Sequence, residues 1–217
     1  MINYIFSLFQ KPQKGFDPIP YNYAVKYFEQ AYNGERFNKN IIFKLSQYTD
    51  LKNKTVLDLG AGPGQYTKYF VDKGAKVHYH DISKNYLTLF KNKFNNLEFT
   101  YSLDYLEKFT GTYDLIFNNV CFNYGMDDKN LVDKIAQGLN PGGVYFGILG
   151  NENIHKQHST KTSYLNLIKF YLNDFFGLKI GHPYNSKRKI KKLFSEKKFK
   201  TLAIEDFESN TLVVVTI

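Results

Sequence analysis

From Lys54 onward, short apolar runs alternate with amphipathic segments. TVLDLG, AKVHYHD, LEFTYS, YDLIFNN and GGVYFGIL have the length and continuous apolar character of strands buried on both faces. Between them, QYTKYFVDKG reads as a helix closed by Gly74, and KNYLTLFKNKF and DKNLVDKIAQGLN fill later gaps with helical periodicity. Strands alternating with helices over this span predict an α/β fold, a doubly wound and mostly parallel sheet with helices on both sides. Residues 151–186 interrupt the rhythm: NENIHKQHSTKTS is polar and loop-like, and YLNLIKFYLNDFFGL is an aromatic helix, together a lid insert after the fifth strand. A helix, RKIKKLFSEKKF, and two strands, KTLAIEDF and TLVVVTI, then follow, with Asn210 in a tight antiparallel hairpin. Ahead of the sheet, beyond the Pro/Gly-punctuated KPQKGFDPIP, Tyr23, Tyr27 and Ala31 recur at helical spacing, as do Phe37, Ile41 and Leu45. Two helices broken near Asn33–Gly34 are expected there, as an N-terminal helical cap.

The 217 residues fit one domain: the cap over 1–50, a core over 51–150, the insert over 151–186, and the last helix and hairpin over 187–217. Cys121 is the sole cysteine, which excludes an internal disulfide framework and a multi-cysteine metal site. MINYIFSLFQKPQK lacks a basic start and a small-residue cleavage site, and its apolar stretch is too short to span a bilayer, so a cytoplasmic location is expected. The 29 Lys+Arg against 20 Asp+Glu give a net charge of +9, which invites a nucleic-acid reading. The excess is local, however. Residues 186–200, SKRKIKKLFSEKKFK, hold eight basic residues and one acid, leaving the rest nearly neutral. Ile190, Leu193 and Phe194 make an apolar face on that helix, so a solvated basic face is the ordinary reading and phosphate contact the alternative.

The chemistry-bearing segment is Val56-Leu57-Asp58-Leu59-Gly60-Ala61-Gly62-Pro63-Gly64-Gln65-Tyr66, a strand running through a glycine turn into a helix. Gly60 and Gly62 let backbone approach a ligand closely, and the helix start supplies free N–H groups. A nicotinamide or flavin fingerprint, GxGxxG, needs glycine where Gln65 stands, and no GxxxxGK[ST] loop is present. Asp58 would repel a pyrophosphate but suits an ammonium. Asp81, 17 residues beyond Gly64 at the tip of the second strand, suits the two hydroxyls of a ribose. A ribose with an amino-acid end and no phosphate points to S-adenosylmethionine.

VLDLGAGPGQYTKYF, VHYHDIS, YDLIFNNVCFNYG and LNPGGVYFGIL, in that order over residues 54–150, resemble the successive motifs of class I S-adenosylmethionine-dependent methyltransferases. The resemblance implies a seven-stranded sheet with a reversed last hairpin. It implies that Gly60, Ala61, Gly62 and Gly64 line the methionine part, with Asp58 near its ammonium and Asp81 on the ribose. Ile82 would pack on the adenine, and Asn118 and Asn119 would lie under the methionine and sulfonium. Ser102 and Leu103 fall where the family has an acid and an apolar residue at the adenine, with Asp104 two positions past the usual acid; which of the three reads adenine stays open. From the cap, Tyr21, Tyr23, Tyr27 and Tyr32 precede the core as lid helices do in the family. Tyr23 and Tyr27 are the expected closing residues, and Arg36 a partner for the cofactor carboxylate or for a surface acid.

NNVCFNY lacks the prolines of base-amine methyltransferases, and Cys121, after Val120, reads as a packed core cysteine rather than a nucleophile. The segment resembles the small-molecule branch, in which a His often stands where this chain has Asn123, followed by an aromatic such as Tyr124. Candidate catalytic groups are therefore sparse: Tyr124, His155, His158 and His182, with no metal expected. His78 and His80 read as satisfied strand histidines. A small-molecule acceptor is expected, against an RNA methyltransferase using the 186–200 helix or a cofactor-binding accessory protein without turnover.

Overall fold

The structure, a computed structural model, describes residues 19–34, 36–152, 162–176, 184–195 and 199–217. The leading segment through Pro18, the polar insert with His155 and His158, and His182 lie outside the described residues.

The cap is two helices, α1 (Tyr21–Tyr32) and α2 (Lys39–Leu45), separated at Asn33–Gly34 where the periodicity breaks. Strand and helix then alternate: β1 (Thr55–Leu59), α3 (Gln65–Asp72), β2 (Lys76–Asp81), α4 (Lys84–Lys93), β3 (Thr100–Leu103), β4 (Tyr113–Asn119), α5 (Asp128–Gln137) and β5 (Leu139–Gly150). After the insert helix α6 (Thr162–Phe176) come α7 (Lys187–Ser195), β6 (Lys200–Phe207) and β7 (Asn210–Thr216). The strands form one sheet in the order β3-β2-β1-β4-β5-β7-β6. All run parallel except β7, which pairs antiparallel with both neighbours. β5 starts earlier than the apolar run GGVYFGIL suggests: Leu139 pairs with Tyr113 before a register shift resumes pairing at Leu115–Val144.

Alternating side chains send the core to two faces. Leu57, Leu59, Ile116, Tyr145 and Val213 pack against Leu131 and Ile135 of α5 and Ile190 and Phe194 of α7. Val56, Leu115, Phe117 and Phe146 pack against Ile41 and Leu45 of α2 and Tyr66 and Phe70 of α3. The order of strands reverses between β1 and β4, so the crevice where such sheets take ligands lies between the C-terminal ends of those two strands. The cap helix α1 reaches across toward it from α4, with Tyr27 against Tyr86 (5.8 Å between rings) and Tyr32 against Phe94 (5.1 Å).

The basic helix is docked, not free. Lys187 pairs with Asp206 at 2.6 Å and Lys189 with Asp128 at 3.1 Å, while Arg188, Lys191 and Lys192 face solvent. Among the described residues no helix is long and apolar enough to cross a membrane.

Candidate active site

The turn between β1 and α3 is held at nearly every polar atom. Gly60 N–H and Ala61 N–H donate to His80 O (2.8 and 3.1 Å), and Gly62 N–H donates to the Asp81 carboxylate (2.8 Å). Tyr79 hydroxyl donates to Gly62 O at 2.6 Å, and Tyr32 hydroxyl, from the cap, to Pro63 O at 3.0 Å. The second oxygen of Asp81 takes Ser83 N–H (2.8 Å), which starts α4. A loop tied this way keeps its shape without a ligand, so little ordering is lost on binding.

Gly60, Gly62 and Gly64 have φ of +77°, +53° and +80°, a region that costs any other residue. Two of the three are also walled in. A Cβ at Gly60 would lie 2.5 Å from the Cys121 Cβ, and one at Gly64 would lie 2.5 Å from the Phe90 ring. At Gly62 a Cβ would meet nothing within 4 Å, so this glycine faces the open slot.

Around the slot the groups are acceptors. Asp58 is 2% exposed and accepts the Thr67 hydroxyl at 2.6 Å. Burial pushes its carboxyl up to about 7; the Thr67 bond opposes the rise and the nearby Asp81 charge adds to it. At the end of β4, Asn118 donates through Nδ2 to Leu59 O (2.6 Å), and the Oδ1 atoms of Asn118 and Asn119 are both buried without a hydrogen-bond partner. Orphaned acceptors beside a buried carboxylate suit a ligand bearing donors and positive charge.

Val120, directly after β4, has φ +58°, an unusual state for a β-branched residue that costs about 1–3 kcal/mol. Its N–H donates to Ile148 O at 2.7 Å. The bend brings Cys121 back over Gly60. The cysteine expected in the core is instead half-buried at the turn, where burial and the charges of Asp81 and Asp58 raise its thiol well above the ordinary value. Such a thiol is a poor nucleophile.

The structure brings Asp58, the three glycines, Ala61, Asp81, Asn118 and Asn119 together at the crevice mouth, with Ile82 half-buried directly after Asp81. Tyr27 faces the same space: burial raises its hydroxyl, Arg36 opposes, and Cys121 and Tyr23 add to the rise. Tyr23 is mostly exposed and stacks on Tyr27 at 6.1 Å. Two expectations change. Among the described residues Arg36 pairs with no acid; its guanidinium bonds Gln30 Oε1 (3.1 and 2.8 Å) and lies 3.8 Å over the Tyr27 ring. Ser102 does not present its hydroxyl to the adenine side, because register pairs it with His80 and turns it to the opposite face, between His78 Nε2 (2.8 Å) and His80 Nδ1 (2.6 Å). Leu103 and Asp104 remain at the strand end, both exposed, with Asp104 N–H on Asp81 O. Asn123 is fully buried in a polar chain: Nδ2 donates to Gly150 O, and Oδ1 accepts from Asn185, which also donates to Asp128. It braces the wall between β4 and β5. Tyr124 sits half-buried in the 310 turn Phe122–Tyr124, its N–H on Cys121 O.

Thr67, Tyr79, Phe90 and Val120 shape the site without a sequence signal of their own, since buried side chains and a strand-end valine look like core. Among the described residues no cluster of three or more His, Cys, Asp or Glu is arranged to hold a metal ion.

Comparison with known proteins agrees with this geometry. Residues 56–143 match the methyltransferase domain family. Over 144 residues the chain is 32% identical to a malonyl-[acyl-carrier protein] O-methyltransferase of Calditerrivibrio nitroreducens, aligning 61% of this chain and 54% of that protein. A 65-residue stretch is 34% identical to a ribosomal RNA small subunit methyltransferase A of Mesomycoplasma hyopneumoniae, aligning 29% of this chain and 25% of that protein. The chain spans about half the length of the malonyl relatives it matches. Among solved structures, an S-adenosylmethionine-dependent methyltransferase from Clostridium acetobutylicum shares the fold with a TM-score of 0.63 at 15% identity, over 91% of this chain and 98% of that one. The strand order with its single reversed strand and the glycine turn at the switch point give this chain the fold of class I S-adenosylmethionine-dependent methyltransferases, and residues 56–143 within it match the methyltransferase domain family.

Proposed function

We propose that this chain transfers the methyl group of S-adenosylmethionine to a small-molecule acceptor. The observation carrying the cofactor half is the acceptor-lined slot: Asp58, Asp81 and the unpaired oxygens of Asn118 and Asn119 gathered where Gly62 leaves space. S-adenosylmethionine presents an ammonium, a sulfonium and a ribose diol, all donors or cations. When bound, it supplies a methyl group on an excellent leaving group. Asp81 would take the ribose hydroxyls and Asp58 the ammonium, with Ile82 and Leu103 against the adenine. Asn118 and Asn119 would lie under the methionine end, and Tyr27 would shield the slot from water. These residues bind and orient. Aligning an acceptor in this way is worth about 7–11 kcal/mol of barrier, so the chemistry asks little more of the side chains.

Asp58 gives this reading a pH signature. Its carboxyl, raised to about 7, is mostly protonated near pH 6, and a nearby ammonium would favour the charged form. Binding S-adenosylhomocysteine should therefore release protons between about pH 5 and 7. Affinity should rise with pH over that window. Calorimetry in two buffers of different ionisation enthalpy measures the release. Asp58→Asn should bind more weakly and release none; equal proton release from wild type and Asp58→Asn would remove Asp58 from the site.

The small-molecule acceptor is supported by the likeness to malonyl-[acyl-carrier protein] O-methyltransferases and by the pairing of Lys187 and Lys189 within the protein. The likeness to the ribosomal RNA enzymes and the exposed Arg188, Lys191 and Lys192 favour RNA as the second reading. Salt separates the two. Methyl transfer from labelled cofactor into the small-molecule fraction of a bacterial extract should change less than about twofold between 50 and 200 mM KCl, whereas phosphate-dependent binding weakens steeply over that range. Label entering RNA, with a steep salt dependence, would reverse the choice.

A further inference from the structure

His80 touches both walls of the cofactor slot. Its carbonyl oxygen holds Gly60 N–H and Ala61 N–H of the glycine turn. Its ring reaches the other way, with Nε2 2.8 Å from Tyr105 O. Tyr105 follows Leu103 and Asp104, so this bond fixes the loop that leaves β3 beside the adenine end.

The Tyr105 carbonyl dictates which tautomer the neutral ring adopts. A carbonyl only accepts, so Nε2 carries the hydrogen; the neutral ring then accepts at Nδ1, where the Ser102 hydroxyl lies at 2.6 Å. Ser102 oxygen accepts in turn from His78 Nε2 (2.8 Å), and His78 Nδ1 accepts from the Thr100 hydroxyl (2.8 Å). Four hydrogen bonds thus run in one direction, Thr100 to His78 to Ser102 to His80 to the Tyr105 carbonyl. His80 is wholly buried, with the Phe109 ring set edge-on at 6.3 Å.

We propose that His80 is a positioning residue for the nucleoside end of the cofactor, its neutral ring, oriented by Ser102 and His78, holding the loop after β3 at a set distance from the glycine turn. This rests on the cofactor reading above. A proton added at Nδ1 would turn an acceptor into a donor facing Ser102. Accommodating it requires His78 to pass its own proton from Nε2 to Nδ1 and Thr100 to turn toward Val77 O, 3.4 Å away. The charged groups facing His80 are His78 on β2, which opposes its protonation, and Asp104 after β3, which favours it. Burial is the largest influence and keeps the ring neutral below the usual histidine range. A depressed value means the clamp is intact above about pH 6.5 and lost as pH falls through the depressed value.

The test uses 5′-methylthioadenosine, which carries adenine and ribose without the amino-acid end and so does not involve Asp58 and the ammonium. Its affinity for the full chain is measured calorimetrically for wild type, His80→Leu and His80→Gln. Glutamine keeps one donor and one acceptor but cannot gain a proton. His80→Leu should bind at least about tenfold more weakly and His80→Gln within about threefold of wild type, a hydrogen-bond-sized loss restored by the conservative change. Wild-type affinity should fall by more than that of His80→Gln as pH is lowered below the usual histidine range. If His80→Leu does not fold, Ser102→Ala, which removes the group orienting the ring, should weaken the probe by about three- to tenfold. Wild-type affinity in His80→Leu or, where that variant does not fold, in Ser102→Ala, or equal losses in His80→Leu and His80→Gln, would overturn the positioning role and leave the cofactor reading standing. Wild type that binds neither this probe nor S-adenosylhomocysteine would overturn the cofactor reading itself.

Discussion

Asp81→Ala is expected to erase the thermal stabilisation that S-adenosylhomocysteine gives the wild-type protein. At a ligand concentration about 100 times Kd, linkage stabilises the folded state by about 2.7 kcal/mol. For a domain of this size that is a rise in Tm of roughly 5–11 °C. The carboxylate is almost fully buried and accepts from Gly62 N–H and Ser83 N–H, so it shapes the turn as well as facing the ribose position. Hydrogen bonds to a charged group are worth about 1.5–3 kcal/mol each. The variant should therefore melt lower without ligand and show a shift below about 1 °C with it, beneath what a tenfold weaker site would retain. Asp81→Asn, which keeps one acceptor, should fall between. A full-size shift in Asp81→Ala would mean that the ribose lies elsewhere.

The three glycines of the turn should respond to alanine in two different ways. Gly64→Ala combines a left-handed backbone, costing about 1–3 kcal/mol, with a methyl driven into Phe90. Phe90 is itself buried against Tyr79, Phe94 and Phe99 and has nowhere to go, so overpacking adds about 1–3 kcal/mol more. Urea denaturation should show a loss of about 2–6 kcal/mol, enough to unfold a marginal domain. Gly62→Ala carries only the backbone cost, about 1–2 kcal/mol, because its new methyl enters open space. That space is the slot, so Gly62→Ala should fold and yet bind S-adenosylhomocysteine at least about tenfold more weakly, the cost of one displaced contact. Normal binding by Gly62→Ala would place the cofactor outside this turn.

Much of the architecture is local and therefore legible in the chain. The runs TVLDL, KVHYHD and YDLIFNN are strands because no other element buries four or more consecutive apolar-rich residues on both faces so briefly. Ser83 and Asp127 start their helices as side-chain caps, and Gly74, at φ +81°, follows the end of α3. The glycine spacing announced the turn, and Asp58 and Asp81 could be placed because each lies a fixed few residues from a strand end. Ser102 shows where this stops. Its distance from the turn along the chain is right, but a one-residue alternation decides which face a strand residue points to, and the pairing His80–Ser102 sends it away. Arg36 illustrates a different limit: a long side chain takes whichever partner its neighbourhood offers, here Gln30 and the Tyr27 face.

By itself, then, the sequence determined the order of elements, the glycine turn and the two acids beside it, because backbone freedom and apolar period are properties of a few adjacent residues. Only the tertiary structure decided that Cys121 closes over Gly60, that Phe90 walls Gly64, that Tyr32 of the cap grips Pro63, and that His80 joins the glycine turn to Tyr105. Each of these joins residues that only strand register and helix docking bring together, and no local pattern records which distant side chain will fill a given space.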